Sequence, residues 1–518
     1  MDQLLIAGFC VCALTVVLRY GCGRRSVDDI ASLPGPPSSS WLYGNLPELL
    51  LDRPYGSNGL KWLAEYGPVH RIRGCFGENR LMVSDPVALR YILANFTTFG
   101  KSPTHRFLNP IAFGSGSLLH VTGEQHHRIR GIMNAMFSAT NVRGLAPILE
   151  KAVLELIERW RSEPIDVVDV YRAMHDTTLQ AVGEGVMGYN IRENENYART
   201  YRNLVQAEAT LSKAAILADA VLCKFPYSLL NILTLFPSSD IQKLVDHRHA
   251  NVHLSNILLE SKLETLKLES EADNDLFSIL VQKNSEASSP MSADEIKDQV
   301  GTLTVAGEET TANSLVWALY VLAQNPQWQE TIRQEINHWI ANHSDRAVDY
   351  DQLPFLNAII KEVLRFYSPL PHADRYCTQD AIVPLSEPII TAGKVLTSLR
   401  VKKGTYVTVA ISTFHRLTSI WGPDAHEFKP SRWLRDEEVS KSTSLGPYSN
   451  LLSFFSGPRV CIGWRFAILE TQIILSHLVR NFIFSLLAGS DVQPGCAITL
   501  VPMDADGKAN LYLHVSPL

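Results

Sequence analysis

Apolar positions are unevenly spread along the chain, and their spacing changes several times. Leu4 to Leu18 is an uncharged run of 15 residues closed by Arg19, then Arg24 and Arg25. That makes about 22 Å of helix, and Arg19 can snorkel so that the span extends through Tyr20 to Cys22. A cleaved signal peptide needs positive charge ahead of its apolar run, and Met1-Asp2-Gln3 carries none. The pattern predicts a single retained transmembrane helix within residues 1–25. The positive flank puts everything after it on the cytosolic side.

Leu33-Pro34-Gly35-Pro36-Pro37 is too proline-rich for helix, so residues 26–40 are expected to form a stiff spacer ahead of a body at 41–518. Alternation in 69–84, interrupted by Gly74 to Gly77, predicts a short hairpin. Helical spacing then dominates from about 86 to 345, with loops expected at 103–118, 222–240 and 284–292. Ser292-Ala293-Asp294-Glu295 is a capping box that opens an apolar run lasting to Gln324, just before Pro326. A helix of that length must cross the core. Val, Ile and Thr are dense between prolines and glycines at 381–411, which predicts strands. The expected fold class is mainly α with a minor β portion.

Composition changes this picture little. With 518 residues, 46% hydrophobic and 19% charged, a large core is available, and the net charge of −6 gives no support to nucleic-acid binding. Eight cysteines are scattered without a C-x-x-C pair or a Cys/His cluster. That argues against zinc, an iron–sulfur centre or a disulfide framework, and for a reducing compartment. The sequons at Asn95 and Asn342 would then go unused.

One cysteine stands apart. Phe454-Phe455-Ser456-Gly457-Pro458-Arg459-Val460-Cys461-Ile462-Gly463 puts Cys461 in a Phe- and Gly-rich turn before an apolar run from Trp464 to Leu478. Such a loop can aim backbone N–H groups at the sulfur, and the next helix adds the positive end of its dipole. The glycines let backbone pass close to a flat ligand, with Phe454 packed on one side of it. The segment resembles the F-x-x-G-x-R-x-C-x-G signature of cytochromes P-450, in which one cysteine thiolate holds a haem iron. The resemblance extends over residues 33–518. It implies the cytochrome P-450 fold, haem b with Cys461 as its axial ligand, and Phe454, Arg459 and Gly463 as part of the cofactor cradle.

Within the long apolar run lies Ala306-Gly307-Glu308-Glu309-Thr310-Thr311. Carboxylates in an apolar helix centre are costly unless paired or used, and the two acids are not both expected to point inward. Gly307 leaves room for a ligand beside the helix, and Thr310 can divert a backbone bond. This is similar to the family's A/G-G-x-D/E-T-T/S motif. The likeness implies Glu309 as the proton-relay acid and Thr310 as the oxygen-contacting hydroxyl. Glu362-Val363-Leu364-Arg365 is by itself an ordinary helix pair. Together with Phe428-Lys429-Pro430-Ser431-Arg432-Trp433, the family pattern makes Glu362, Arg365 and Arg432 a buried structural triad.

Haem propionates want guanidinium partners. By position those are Arg459, Arg375 and Arg130, with His126 standing where the family's helix element W-x-x-x-R has tryptophan. Largely apolar stretches at 107–119, 211–225, 303–305 and 369–373 suit a lipophilic small-molecule substrate. The run Ala214 to Leu222 could also dip into a bilayer. No flavin or dinucleotide fingerprint is present, so electrons must arrive from elsewhere, and the resemblance implies an NADPH-cytochrome P-450 reductase as their source. The resemblance thus implies a monooxygenase of the endoplasmic reticulum membrane, single-pass with a cytosolic body. Such an enzyme puts one atom of O2 into its substrate. The chain looks like fungal secondary-metabolite oxygenases, with a terpenoid-like substrate. The alternatives are a haem-thiolate isomerase or dehydratase that needs no reductase, and a non-catalytic haem-binding protein.

Overall fold

The computed structural model describes residues 29–162, 166–208, 211–225, 238–268, 275–343, 346–434 and 445–518. Helices predominate, with small sheets beside them. By their contacts the described residues fall into two compact units. The first draws on the described parts of Met1–Leu108, Thr210–Gln242 and His372–Phe414, the second on those of Asn109–Ala209, Lys243–Pro371 and His415–Leu518.

The first unit is built on a five-stranded sheet, in the order Val69–Arg73, Asn79–Val83, Tyr406–Val409, Ala373–Cys377, Phe99–Gly100. The hairpin expected at 69–84 is present, with Val69 opposite Val83. Its turn uses left-handed backbone at Phe76 (φ 59°) and Gly77 (φ 72°), where glycine is the cheap residue. Leu49, Trp62, Ile72, Met82 and Ala410 make a hydrophobic cluster against this sheet. The Val- and Ile-rich stretch forms a second hairpin, Ala381–Thr391 with Lys394–Val401.

The proline-rich stretch is not a free spacer. Ile30, in the short helix Asp29–Ser32, is fully buried, and Asp29 pairs with Arg400 at 3.1 Å. The Arg71 N–H donates to the Pro34 carbonyl at 2.9 Å, and Asn45 Nδ2 donates to the Pro37 carbonyl at 2.9 Å. Proline lacks a donor but keeps its acceptor, so this segment can lie along a strand edge even though it cannot join a ladder fully. Gly35 is what allows the approach. A Cβ there would lie 1.9 Å from the Arg71 carbonyl oxygen.

The second unit centres on the long helix Ala293–Gln324. Its capping box is complete, with Ser292 accepting from the Glu295 N–H and Glu295 accepting from that of Ser292. The helices Val170–Ala181 and Trp464–Asn481 pack on it, and Ala146–Ser162 packs on the latter. Residues 103–113 are helix rather than the loop expected for 103–118. Pro103 sits in the first turn, where its missing N–H costs nothing, and Gly114 (φ 92°) stops the helix. Among the described residues no helix is long and apolar enough to cross a membrane, and the run Leu4 to Leu18 lies outside them.

Gly35→Ala should lower the thermal midpoint, by about 1–3 kcal/mol in stability, because the docked segment must lift off the sheet edge. A melt unchanged from wild type would show that the Pro34–Arg71 contact carries no stability.

Candidate active site

Glu362 sits on the helix Pro354–Phe366, and its carboxylate is fully buried. It accepts from Arg365 Nε and Nη2 at 2.8 Å each, from Arg432 Nε at 3.1 Å, from Trp433 Nε1 at 3.0 Å and from the Lys429 N–H at 2.6 Å. Arg365 spends its other donors on the carbonyls of His415, Ala425 and Glu427, at 2.7 Å each. Arg432 reaches the Trp421 and Asp424 carbonyls and the Asp424 carboxylate. The three expected side chains therefore meet, and Trp433 and Asp424 join them. Every lone pair of Glu362 is matched, which is the condition under which a buried charge cluster holds.

The cysteine loop is positioned on one side by the helix Trp464–Asn481, whose N-cap is Gly463. On the other side the Cys461 N–H donates to the Phe454 carbonyl at 2.8 Å. The thiol is deeply surrounded, although the residue as a whole is only half-buried. Burial pushes its thiol pKa up, while the Gly463 N–H and the charge of Arg130 pull it back. Arg459 ties the loop to a neighbouring strap by donating to the Leu118 and Val121 carbonyls at 3.0 and 2.5 Å. The same strap is fixed to the long helix, with Ser117 Oγ 2.6 Å from Thr302 Oγ1.

Both acids of the long helix are buried, contrary to the expectation that one would face solvent. They point to different partners. Glu308 accepts from Tyr201 Oη and lies 2.6 Å from His175 Nδ1. Glu309 accepts from Thr499 Oγ1 at 2.7 Å. Burial raises the Glu309 pKa and the Glu308 charge adds to the rise, with Thr499 and His175 acting against it. Thr310 donates to the Ala306 carbonyl at 2.9 Å, the local back-bond expected of it. His175, Tyr201 and Thr499 were invisible in sequence, lying 133, 107 and 190 residues from the acids they bind, with no motif to join them.

Arg130 is half-buried on the helix Gly123–Met136, and among the described residues no hydrogen bond or ion pair engages it. Burial lowers its pKa, while Cys461 counteracts. His126, one turn earlier, is 1% exposed. Arg375 stands apart from these, in the first unit's strand Ala373–Cys377, where burial brings its pKa down to about 10.

The sequence pattern of the family described as Cytochrome P450 matches residues 34–496. The chain belongs to the cytochrome P450 family. It is 32% identical to cytochrome P450 monooxygenase 205 of Postia placenta over 94% of this chain and 93% of that one. It is also 32% identical to cytochrome P450 monooxygenase 91 of the same fungus, over 98% and 97%. Cytochrome P450 monooxygenase claU of Ampulloclitocybe clavipes is 29% identical over 91% and 88%. This P450 is therefore a haem-thiolate monooxygenase, an oxidoreductase that uses O2, a substrate and electrons from a reductase.

The residues present fit haem. Midway along a helix buried on both sides of the point, Ala306 is exposed and Val305 and Thr310 are half-exposed, leaving an open flank. Gly307 does not leave the expected room for a ligand, because a Cβ there would meet Val182 Cγ2 at 2.9 Å. Cys461 is a half-buried residue of the same unit, and Arg130 offers an unengaged guanidinium beside it. A thiolate, an open helix flank and an unengaged cation are what a flat, iron-bearing dianion requires.

Glu362→Gln should destabilise this P450 by about 3–5 kcal/mol, because two buried guanidinium groups lose their counter-charge. Urea unfolding followed with haem retention checks it. A loss under about 1 kcal/mol, as for a surface pair, would mean the cluster is wet in solution.

Proposed function

We propose that Cys461 is the axial thiolate and that Glu309 and Thr310 manage protons on the opposite side. In this reading the enzyme hydroxylates or otherwise oxidises a lipophilic, terpenoid-like small molecule in fungal secondary metabolism. The observation that carries it is the pairing of a half-enclosed cysteine with a buried acid beside an open-flanked threonine. When bound, haem supplies the site at which O2 is activated.

The chain's own part is then largely electrostatic and geometric. The Gly463 N–H stabilises the Cys461 thiolate, and Arg130 adds positive charge. Arg130, Arg459 and His126 are the candidates to hold the propionates. Arg375 is a further candidate on family likeness alone. Glu309, with its pKa raised by burial, holds a proton more readily than an exposed carboxyl and can pass it on. Thr310 aims that proton with a hydroxyl that donates to the Ala306 carbonyl within its own turn.

We further infer a retained anchor at residues 1–25 in the endoplasmic reticulum membrane with the body cytosolic, supported by the charge asymmetry about Leu4 to Leu18. The expected redox partner is an NADPH-cytochrome P-450 reductase.

Cys461→Ser should remove the thiolate-type Soret band from the carbon-monoxide difference spectrum of the reduced protein, since a serine hydroxyl does not ionise at neutral pH. A normal band would remove Cys461 as the ligand.

Thr310→Ala should keep NADPH consumption while product per NADPH falls and hydrogen peroxide rises. Glu309→Gln should slow the whole cycle, by on the order of 10²–10⁴. Unchanged coupling in Thr310→Ala would take that role away from Thr310.

A further inference from the structure

Between the two buried acids of the long helix lie Asn313 of the same helix and side chains from two other elements, His175 and Thr499. Glu308 receives Tyr201 Oη on one oxygen and faces His175 Nδ1 across 2.6 Å on the other. The far nitrogen of the same imidazole, His175 Nε2, and Asn313 Oδ1 are both buried and complete no hydrogen bond, although the two side chains are neighbours. Asn313 Nδ2 donates to Thr499 Oγ1 at 3.0 Å, and Thr499 donates to Glu309 at 2.7 Å.

These surroundings favour one charge state at each end. His175 Nδ1 lies 2.6 Å from the Glu308 carboxylate, and the neighbouring amide oxygen of Asn313 can only accept, so the pocket suits an imidazolium. Burial works against that charge, but Glu308, by charge and by hydrogen bond, carries the His175 pKa above its ordinary value. At the other end the Thr499 hydroxyl points to Glu309, favouring its ionised form.

We propose that His175, held as an imidazolium by Glu308, is a positioning residue that sets how readily Glu309 gives up its proton, acting through Asn313 and Thr499. This rests on the reading of Glu309 as the proton source. When the Glu309 O–H bond breaks and its proton passes to the distal pocket, the electron pair stays on Glu309. Thr499, already donating to Glu309 and itself held by Asn313, meets the new anion without a change of partner, and the imidazolium offsets the Glu308 charge beside it. Glu308 cancels the imidazolium overall, so the interior gains no net charge until Glu309 ionises. A proton returning to Glu309 completes the balance.

The other titratable groups facing this chain do not supply the same effect. Tyr171 lies on the His175 ring, 4.4 Å between centroids, and is held neutral by burial and by both acids. Tyr201 is likewise held neutral by burial and by Glu308. Glu470, on the helix Trp464–Asn481, is fully buried with its pKa pushed well up by burial, and brings no positive charge. Among these groups His175 alone brings positive charge.

The test uses the purified full-length ferric holoprotein. The infrared band of a protonated carboxyl that disappears in Glu309→Gln reports the Glu309 titration. In His175→Gln its midpoint should rise by about one pH unit, a tenfold change in proton affinity. The alkaline limb of the turnover profile should move up with it. His175→Gln combined with Glu308→Gln removes both charges and should bring the midpoint most of the way back. Asn313→Leu keeps both charges but cuts the chain, and should raise the midpoint by less than His175→Gln does. A merely structural His175 would lower turnover without moving either midpoint or limb, and that result overturns the proposal. If instead Glu309→Gln leaves product and peroxide yields unchanged, the reading of Glu309 as proton source falls, and this inference falls with it.

Discussion

One carboxylate organises the segment that leads into the cysteine loop. Glu362 has no water to fall back on, so each of its lone pairs must find a donor within the protein, and those donors come from the stretch 429–433 and from Arg365. Arg365 in turn gathers three carbonyls between 415 and 427. A charge that is unaffordable alone becomes a fastener when every bond is made, and breaking one leaves the rest exposed to the full desolvation penalty. Chain that would otherwise be irregular loop is thereby given a single conformation just ahead of Cys461.

The parts legible in the sequence were those written in short, fixed spacings. The capping box marked the first turn of the helix Ala293–Gln324, and Pro326 its end. The hairpin at 69–83 followed from alternation and its glycines. The cysteine loop was readable because Phe454, Gly457, Arg459, Cys461 and Gly463 serve one turn and lie within ten residues. What could not be read depended on distant pairing. Nothing near Glu308 announces His175, and a rule that adjacent helix positions diverge suggested only that one acid faces water. The helix is enclosed where the acids point, so divergence instead sends them to two different buried partners. The helix at 103–113 was missed as well, although Pro103 occupies its first turn, where a proline does not break a helix.

Arg130 and Arg459 show how similar residues come to differ in what they can still do. Arg459 donates to two backbone carbonyls and so fixes the loop to the strap at 118–121. Arg130 has its guanidinium half out of water with no protein anion to meet it. The first helps to give the loop its shape, while the second keeps binding capacity in reserve for a ligand.

The docking of residues 29–37 on the first sheet also has a mechanical side. Asp29, the first residue of the docked segment, lies four peptide links after Arg25 in the sequence. That leash reaches about 14 Å at full stretch, much less than the width of a folded unit of this size. If the apolar run before Arg25 is held in a bilayer, as proposed, the sheet to which Pro34 and Pro37 are pinned cannot tumble freely above the membrane. Its rotational freedom would be reduced to rocking about a short pivot. An approaching reductase would then meet a limited range of orientations instead of a freely turning sphere.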